Sequence, residues 1–138
     1  MGSDRIANAI GAHSKFKKNC LVIDFGTATT FDIVRSPGVY EGGVIAPGVK
    51  LSILNLNRFT ASLPIFELKA NSKTYGKNTK DALNAGFLWG YQGLVNNIIK
   101  KIKTSFNCNF KIILTGGYSK TFSKFINNNT TIEPNITI

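Results

Sequence analysis

Apolar residues recur along the chain with two different periods, and the points where the period changes outline an architecture. Ile6, Ala7, Ala9, Ile10 and Ala12 fall at helical spacing, which predicts a short helix from about Arg5 to Ser14 with Asp4 at its N-cap. A polar connection over 15–19 leads into Leu21-Val22-Ile23, a continuous apolar run of the kind a buried strand carries, broken at Asp24-Phe25-Gly26-Thr27. Thr29, Phe31, Ile33 and Val34 then resume a strand pattern, so the stretch predicts a hairpin whose bend carries Asp24, Gly26, Thr27 and Thr29. Ser36-Pro37-Gly38 reads as a tight turn and 39–46 as a third strand. Its central pair, Gly42-Gly43, implies a bulge or a close approach by another backbone or a ligand.

Beyond Pro47-Gly48 the period becomes helical. Leu51, Leu54, Leu56 and Phe59 predict a short helix over Val49–Phe59, followed by a loop-rich passage from Thr60 to Lys77 with Pro64 as a breaker. The longest element is an amphipathic helix from Thr79 to about Phe106, with Asn78 or Thr79 as its cap and Asp81 in its first turn. Gly86, Gly90 and Gly93 lie near one side of it. Each costs about 1 kcal/mol relative to alanine, so together they predict a face that another helix, from this chain or a second copy, approaches closely. Lys111–Leu114 reads as a strand ending in Thr115-Gly116-Gly117, Tyr118–Ile126 as helical, and Thr130–Ile138 as extended. The alternation predicts an α/β domain: a mixed sheet, with a leading hairpin, flanked by helices.

A length of 138 residues fits one domain. Seventeen Lys and Arg against seven Asp and Glu give a net charge of +10, which suits an anionic partner. The lysines are scattered in small groups without a nucleic-acid-binding motif, so no nucleic acid is expected as a partner. Cys20 and Cys108 lie far apart with His13 as the one histidine, which indicates neither a zinc site nor a disulfide framework and agrees with a cytoplasmic location. No run is apolar enough to predict a membrane span.

The candidate chemistry sits at the turns. A glycine next to a carboxylate and a hydroxyl lets backbone N–H groups approach an anion while the acid holds a cation, which is how Asp24-Phe25-Gly26-Thr27 can serve a phosphate; an ordinary hairpin turn uses the same residues. The letters Asp-Phe-Gly also occur in protein kinases, but the chain has no Gly-rich loop and no His-Arg-Asp catalytic loop. Gly116 and Gly117 stand at a strand-to-helix junction, where α/β folds often place a nucleotide. Asp4 reads equally as a helix cap.

Six ordered blocks, Gly2-x-Asp4-Arg5, Asp24-Phe25-Gly26-Thr27-Ala28-Thr29-Thr30, Gly42-Gly43-x-Ile45-x-Pro47-Gly48, Thr60-Ala61-x-Leu63-Pro64, Gly76-Lys77-Asn78-Thr79 and Thr115-Gly116-Gly117, make the chain resemble the type III pantothenate kinases. The resemblance implies a ribonuclease H-like domain of the actin-like ATPase superfamily. It corresponds to the family's C-terminal half, and the family's N-terminal Asp-x-Gly-Asn-Thr phosphate loop has no counterpart in the 138 residues. It further implies ATP-dependent phosphorylation of pantothenate to 4'-phosphopantothenate, the first step towards coenzyme A, by a homodimer.

Residue by residue, the resemblance gives Asp4 the role of proton acceptor and makes Gly2, Ser3, Asp4 and Arg5, with Thr79, the pantothenate contacts. Thr27 becomes an ATP contact and Asp24 the ligand of a monovalent cation, K+ or NH4+, beside ATP with Mg2+; the turn chemistry of Gly26, Gly116 and Gly117 adds these three to the expected ATP contacts. A carboxylate can take the hydroxyl proton during phosphoryl transfer, Arg5 can balance charge, and a hydroxyl at a helix N-terminus can hold a carboxylate. Two other classes compete with the enzyme: a nonenzymatic binding or dimerisation module like the transcriptional accessory factors of the family, and a basic nucleic-acid-binding domain. Since ATP is gripped between two domains in this superfamily, these residues alone are expected to be a poor kinase.

Overall fold

The computed structural model describes residues 3–126 and 130–134. Helix α1 (Ser3–Phe16) leads into β1 (Cys20–Phe25), β2 (Thr29–Arg35) and β3 (Val39–Ala46), then α2 (Val49–Phe59) and α3 (Thr79–Phe106), followed by β4 (Lys111–Gly116), α4 (Ser119–Ser123) and β5 (Thr130–Ile132). The strands form one sheet in the order β3-β2-β1-β4-β5. β1, β2 and β3 are an antiparallel meander, while β4 and β5 add in parallel, so the sheet is mixed. The α/β class with a mixed sheet flanked by helices, expected from the sequence, is the one observed.

Strand alternation sorts the side chains onto two faces. Leu21, Ile23, Phe25, Phe31, Ile33, Ile112 and Leu114 point towards α2, α3 and α4, where Ile53, Leu88, Tyr91, Val95, Ile99 and Phe122 complete the main core. Phe25 and Phe122 stack there with ring centroids 5.2 Å apart. The opposite face carries Cys20, Val22 and Ile113, covered by Ala12 and Phe16 of α1. The same face carries Asp24, Thr30, Asp32 and Thr115, so a half-polar face lies under α1.

Several boundaries shift from their sequence reading. α1 begins at Ser3 and extends to Phe16, which puts Asp4 inside the first turn and not at the N-cap. α3 runs as expected, and its cap is Asn78, whose side chain accepts from the Asp81 N–H at 2.9 Å. Asn107 ends it in the left-handed conformation. β4 continues through Thr115 to Gly116 because its parallel pairing with β1 persists to Phe25. α4 is only five residues long, shorter than the 118–126 expected. The extended piece is a strand only over Thr130–Ile132, and 135–138 lie outside the described residues.

On the glycine face of α3, an added Cβ at Gly86, Gly90 or Gly93 would meet nothing within 4 Å, so among the described residues no helix of the same copy packs there, which leaves a second copy as the expected partner. Gly86 and Gly90 instead border an apolar cavity of about 630 Å³ between α2, α3 and the Thr60–Lys77 passage, lined also by Leu56, Leu63, Phe87 and Tyr91. The glycine pair of β3 does match its sequence reading. Gly42 has φ +123° at the register shift opposite Ile33 and Val34, and Gly43 has Phe31 O only 2.0 Å from where a Cβ would stand.

Candidate active site

Asp24, the one acid of β1, faces the α1 side of the sheet, aligned with Thr30 on β2 and Thr115 on β4. Directly paired residues share a face, so Thr30, Asp24 and Thr115 form a polar row across three strands where β1 and β4 end. Two glycines close round the acid: an ideal Cβ would stand 3.2 Å from Asp24 Oδ1 at Gly26 and 2.7 Å at Gly116. Gly116 has φ +91°, a left-handed conformation that the turn after β4 demands. Burial pushes the Asp24 carboxyl above its ordinary value, and the negative charge of Asp32 adds to the shift. Asp24 is thus a half-buried oxygen donor with two strand-end turns drawn tightly against it.

The bend itself is braced from the main-core side. Gly48 lies so close to Thr27 that a Cβ would be 1.8 Å from its carbonyl oxygen. Thr29 is buried and donates to Pro47 O at 2.9 Å, and Tyr91 donates to the same carbonyl at 3.1 Å. Thr27 and Gly26 stay exposed, available to a ligand above the strand ends. Gly117 is likewise unobstructed, with nothing within 4 Å of an added Cβ.

A second cluster lies beside this row. Asp32 pairs across the sheet with Val22, one step from Asp24 and Thr30 on the same face, and is 3% exposed. Arg5 donates from Nη2 to Asp32 Oδ1 at 2.7 Å and from Nε to Oδ2 at 3.3 Å, and the Tyr40 hydroxyl donates to Oδ1 at 2.7 Å. Burial, reinforced by the Asp32 hydrogen bond and charge, raises the Tyr40 phenol to about 12. Neither Asp32 nor Tyr40 stood out in the sequence. The available signal was an acid within an otherwise apolar strand, Phe31-Asp32-Ile33-Val34, since a charge so placed requires a partner.

The expected site residues therefore separate into groups. Asp24, Gly26, Thr27, Gly116 and Gly117 converge at the ends of β1 and β4, and Arg5 lies over the same face of the sheet. Gly2 lies outside the described residues, as do the side chains of Ser3 and Asp4; the backbone places Asp4 next to Arg5 in the first turn of α1. Thr79 is not brought to Arg5. It starts α3, exposed at the mouth of the apolar cavity, in the layer on the opposite side of the sheet from α1. Gly76 folds the preceding loop onto that helix start, with Ala82 N 2.0 Å from a would-be Cβ.

The family model for type III pantothenate kinase matches residues 1–101. A type III pantothenate kinase of Pelagibacter ubique is 47% identical over 138 residues, covering 100% of this chain and 55% of the relative. One from Koribacter versatilis is 45% identical over 119 residues, covering 86% of the chain and 43% of the relative. The chain thus spans about half the length of the curated relatives it matches. Among solved structures, a conserved Baf family transcriptional activator from Campylobacter jejuni superposes with a TM-score of 0.70 at 23% identity, covering 99% of this chain and 59% of that one. An activator of 2-hydroxyisocaproyl-CoA dehydratase from Clostridium difficile, with bound ADPNP, does so with a TM-score of 0.54 at 9% identity, covering 95% and 60%. These likenesses establish the fold.

Proposed function

Because the chain belongs to the type III pantothenate kinase family, we propose that residues 1–138 form one wall of an ATP-dependent pantothenate kinase that yields 4'-phosphopantothenate. The observation that carries this reading is the cradle at Asp24, where a Cβ at Gly26 or at Gly116 would crowd the same carboxylate oxygen, at the ends of the parallel strands β1 and β4. Phosphoryl transfer needs little covalent help from protein; it needs positioned donors and cations around the phosphates. Gly26, Thr27 and Gly117 are exposed and Gly116 half-buried, and glycine backbone there is suited to phosphate oxygens because it carries no side chain to hold a ligand off.

Asp24 offers hard oxygen, the donor type for K+, NH4+ or Mg2+, and an added cation would relieve the unfavourable charge that raises its pKa. A cation bound there would neutralise phosphate charge. Arg5 would hold the pantothenate carboxylate, and Asp4, adjacent on the first turn of α1, would accept the proton as the substrate oxygen bonds to the γ-phosphorus and ADP leaves. The net positive charge of the chain favours both anionic substrates.

Thr79 enters through a homodimer. Arg5 and Thr79 occupy opposite sides of the sheet, so a pantothenate contact from Thr79 is supplied to the site of a second copy. Support comes from the open glycine face of α3 and from exposed Leu51, Leu54, Phe59 and Trp89 on α2 and α3. The cytoplasm, where both substrates occur, is the proposed location. The test is Asp4→Asn in enzyme assembled with the remainder of the family's length: turnover falls far more than pantothenate binding weakens, because the shape stays and the proton acceptor goes. Unchanged turnover would refute the role given to Asp4.

A further inference from the structure

Asp32 poses an energetic question that the cradle does not answer. Removing a carboxylate from water costs several kcal/mol unless its charge and lone pairs are met. Here they are met by three donors from two elements, Nε and Nη2 of Arg5 on α1 and the hydroxyl of Tyr40 on β3. β3 also gives way for the pair: a Cβ at Gly43 would stand 2.8 Å from Arg5 Nη2 and 2.9 Å from Asp32 Oδ1. Docking α1 does not require this arrangement, since Ala12 and Phe16 already seat the helix on Cys20, Val22 and Ile113. What the network adds is a fixed plane. A two-point contact along the Nε edge orients the guanidinium fork, which a single contact or a lysine ammonium cannot do.

We infer that Asp32, itself held by Tyr40, is a positioning residue that sets the Arg5 guanidinium to receive the carboxylate of the substrate. The inference rests on the pantothenate reading above. Asp32 acts through Arg5 and touches no substrate atom. With the acid replaced by its amide, Arg5 keeps its charge and loses its charged, two-point anchor, so it samples orientations that the substrate must then select at the expense of affinity.

The test is a double-mutant cycle in the assembled enzyme, with pantothenate and ATP varied separately for wild type, Asp32→Asn, Arg5→Lys and the double variant. Asp32→Asn is expected to raise the pantothenate KM about tenfold, the size of one charge-assisted hydrogen bond, with the ATP KM changed less than about twofold. The double variant is expected to be no worse than Arg5→Lys, because the second change removes an anchor whose object has gone. Equal rises in both KM values, or effects that multiply in the double variant, would reduce Asp32 to a structural part and overturn the inference. Nuclear magnetic resonance of the Arg5 Nε–H in unliganded protein gives an independent reading. Slow exchange with water that becomes fast in Asp32→Asn supports the anchor, and an unchanged rate overturns it. Lack of turnover in the wild type would strike the pantothenate reading and leave this resonance measurement decisive for the Arg5 anchor.

Discussion

A Cβ added to Gly116 would lie 2.7 Å from Oδ1 of Asp24 and equally close to the Phe25 backbone, so the turn after β4 and the acid at the end of β1 can coexist only with glycine there. The φ of +91° forbids an ordinary side chain for a second reason. Gly116→Ala is therefore expected to lower stability by about 1–3 kcal/mol in urea unfolding. Gly117→Ala, with nothing within 4 Å, is expected to stay within about 0.5 kcal/mol of wild type. Equal losses at the two positions would contradict the cradle.

Gly43→Ala sets a methyl 2.0 Å from Phe31 O, where backbone must move. β3 is an edge strand with β2 as its one neighbour in the sheet, so the change should loosen that pairing first. Hydrogen exchange at the β2–β3 ladder is expected to accelerate while the β1–β4 ladder stays protected. Uniform acceleration across both ladders would show that the strain is not local.

Tyr40 carries a pH signature. Its phenol is raised from 10.0 to about 12 in the folded protein, so the folded state holds this proton more tightly than the unfolded state. The stability it contributes is complete below the unfolded value and is lost as pH rises from 10.0 through about 12. The stability gap between wild type and Tyr40→Phe should accordingly be flat up to the lower value and shrink above it. Phenolate absorbance should show one fewer late-titrating tyrosine in the variant; loss of a tyrosine titrating near 10.0 instead would remove Tyr40 from the Asp32 network.

Gly90→Leu separates folding from association. Gly90 borders open space, and leucine has a better helix propensity than glycine by roughly 1 kcal/mol, so the fold of one copy should be no less stable. Sedimentation should nevertheless show a weakened dimer, because the new side chain occupies the surface that a second α3 would approach. A dimer of unchanged affinity would take this helix face out of the interface.

The parts legible in the sequence are those in which local chemistry and tertiary context agree. Leu21-Val22-Ile23 needed burial on both faces and received it between α1 and α3, and Asn78 with Asp81 fixed where α3 starts. The Gly42-Gly43 pair stated its own reason, a bulge and a close approach, before any partner was visible. Asp32 was hidden because its partner, Arg5, lies 27 residues away and strand alternation does not reveal what covers a face. The glycines of α3 marked a smooth face, but helical spacing does not tell which helix meets it, and among the described residues none of this copy does. α4 fell short because the apolar spacing of 118–126 is shared by a single helical turn and the loop after it; only Ser119–Ser123 closes as helix. Thr79 illustrates the limit most sharply: motif order along the chain carried no information on which side of the sheet it would lie.

The most direct test of the account is formation of 4'-phosphopantothenate from pantothenate and ATP, followed by mass spectrometry, for residues 1–138 alone and with the remainder of the family's length supplied in trans. The account predicts little product from the 138 residues, since one wall cannot align the γ-phosphate, and sustained pantothenate-dependent product once the second part is added. Robust product from the 138 residues alone would contradict the shared-site argument, and an assembled enzyme that makes none would contradict the assignment of pantothenate kinase activity itself.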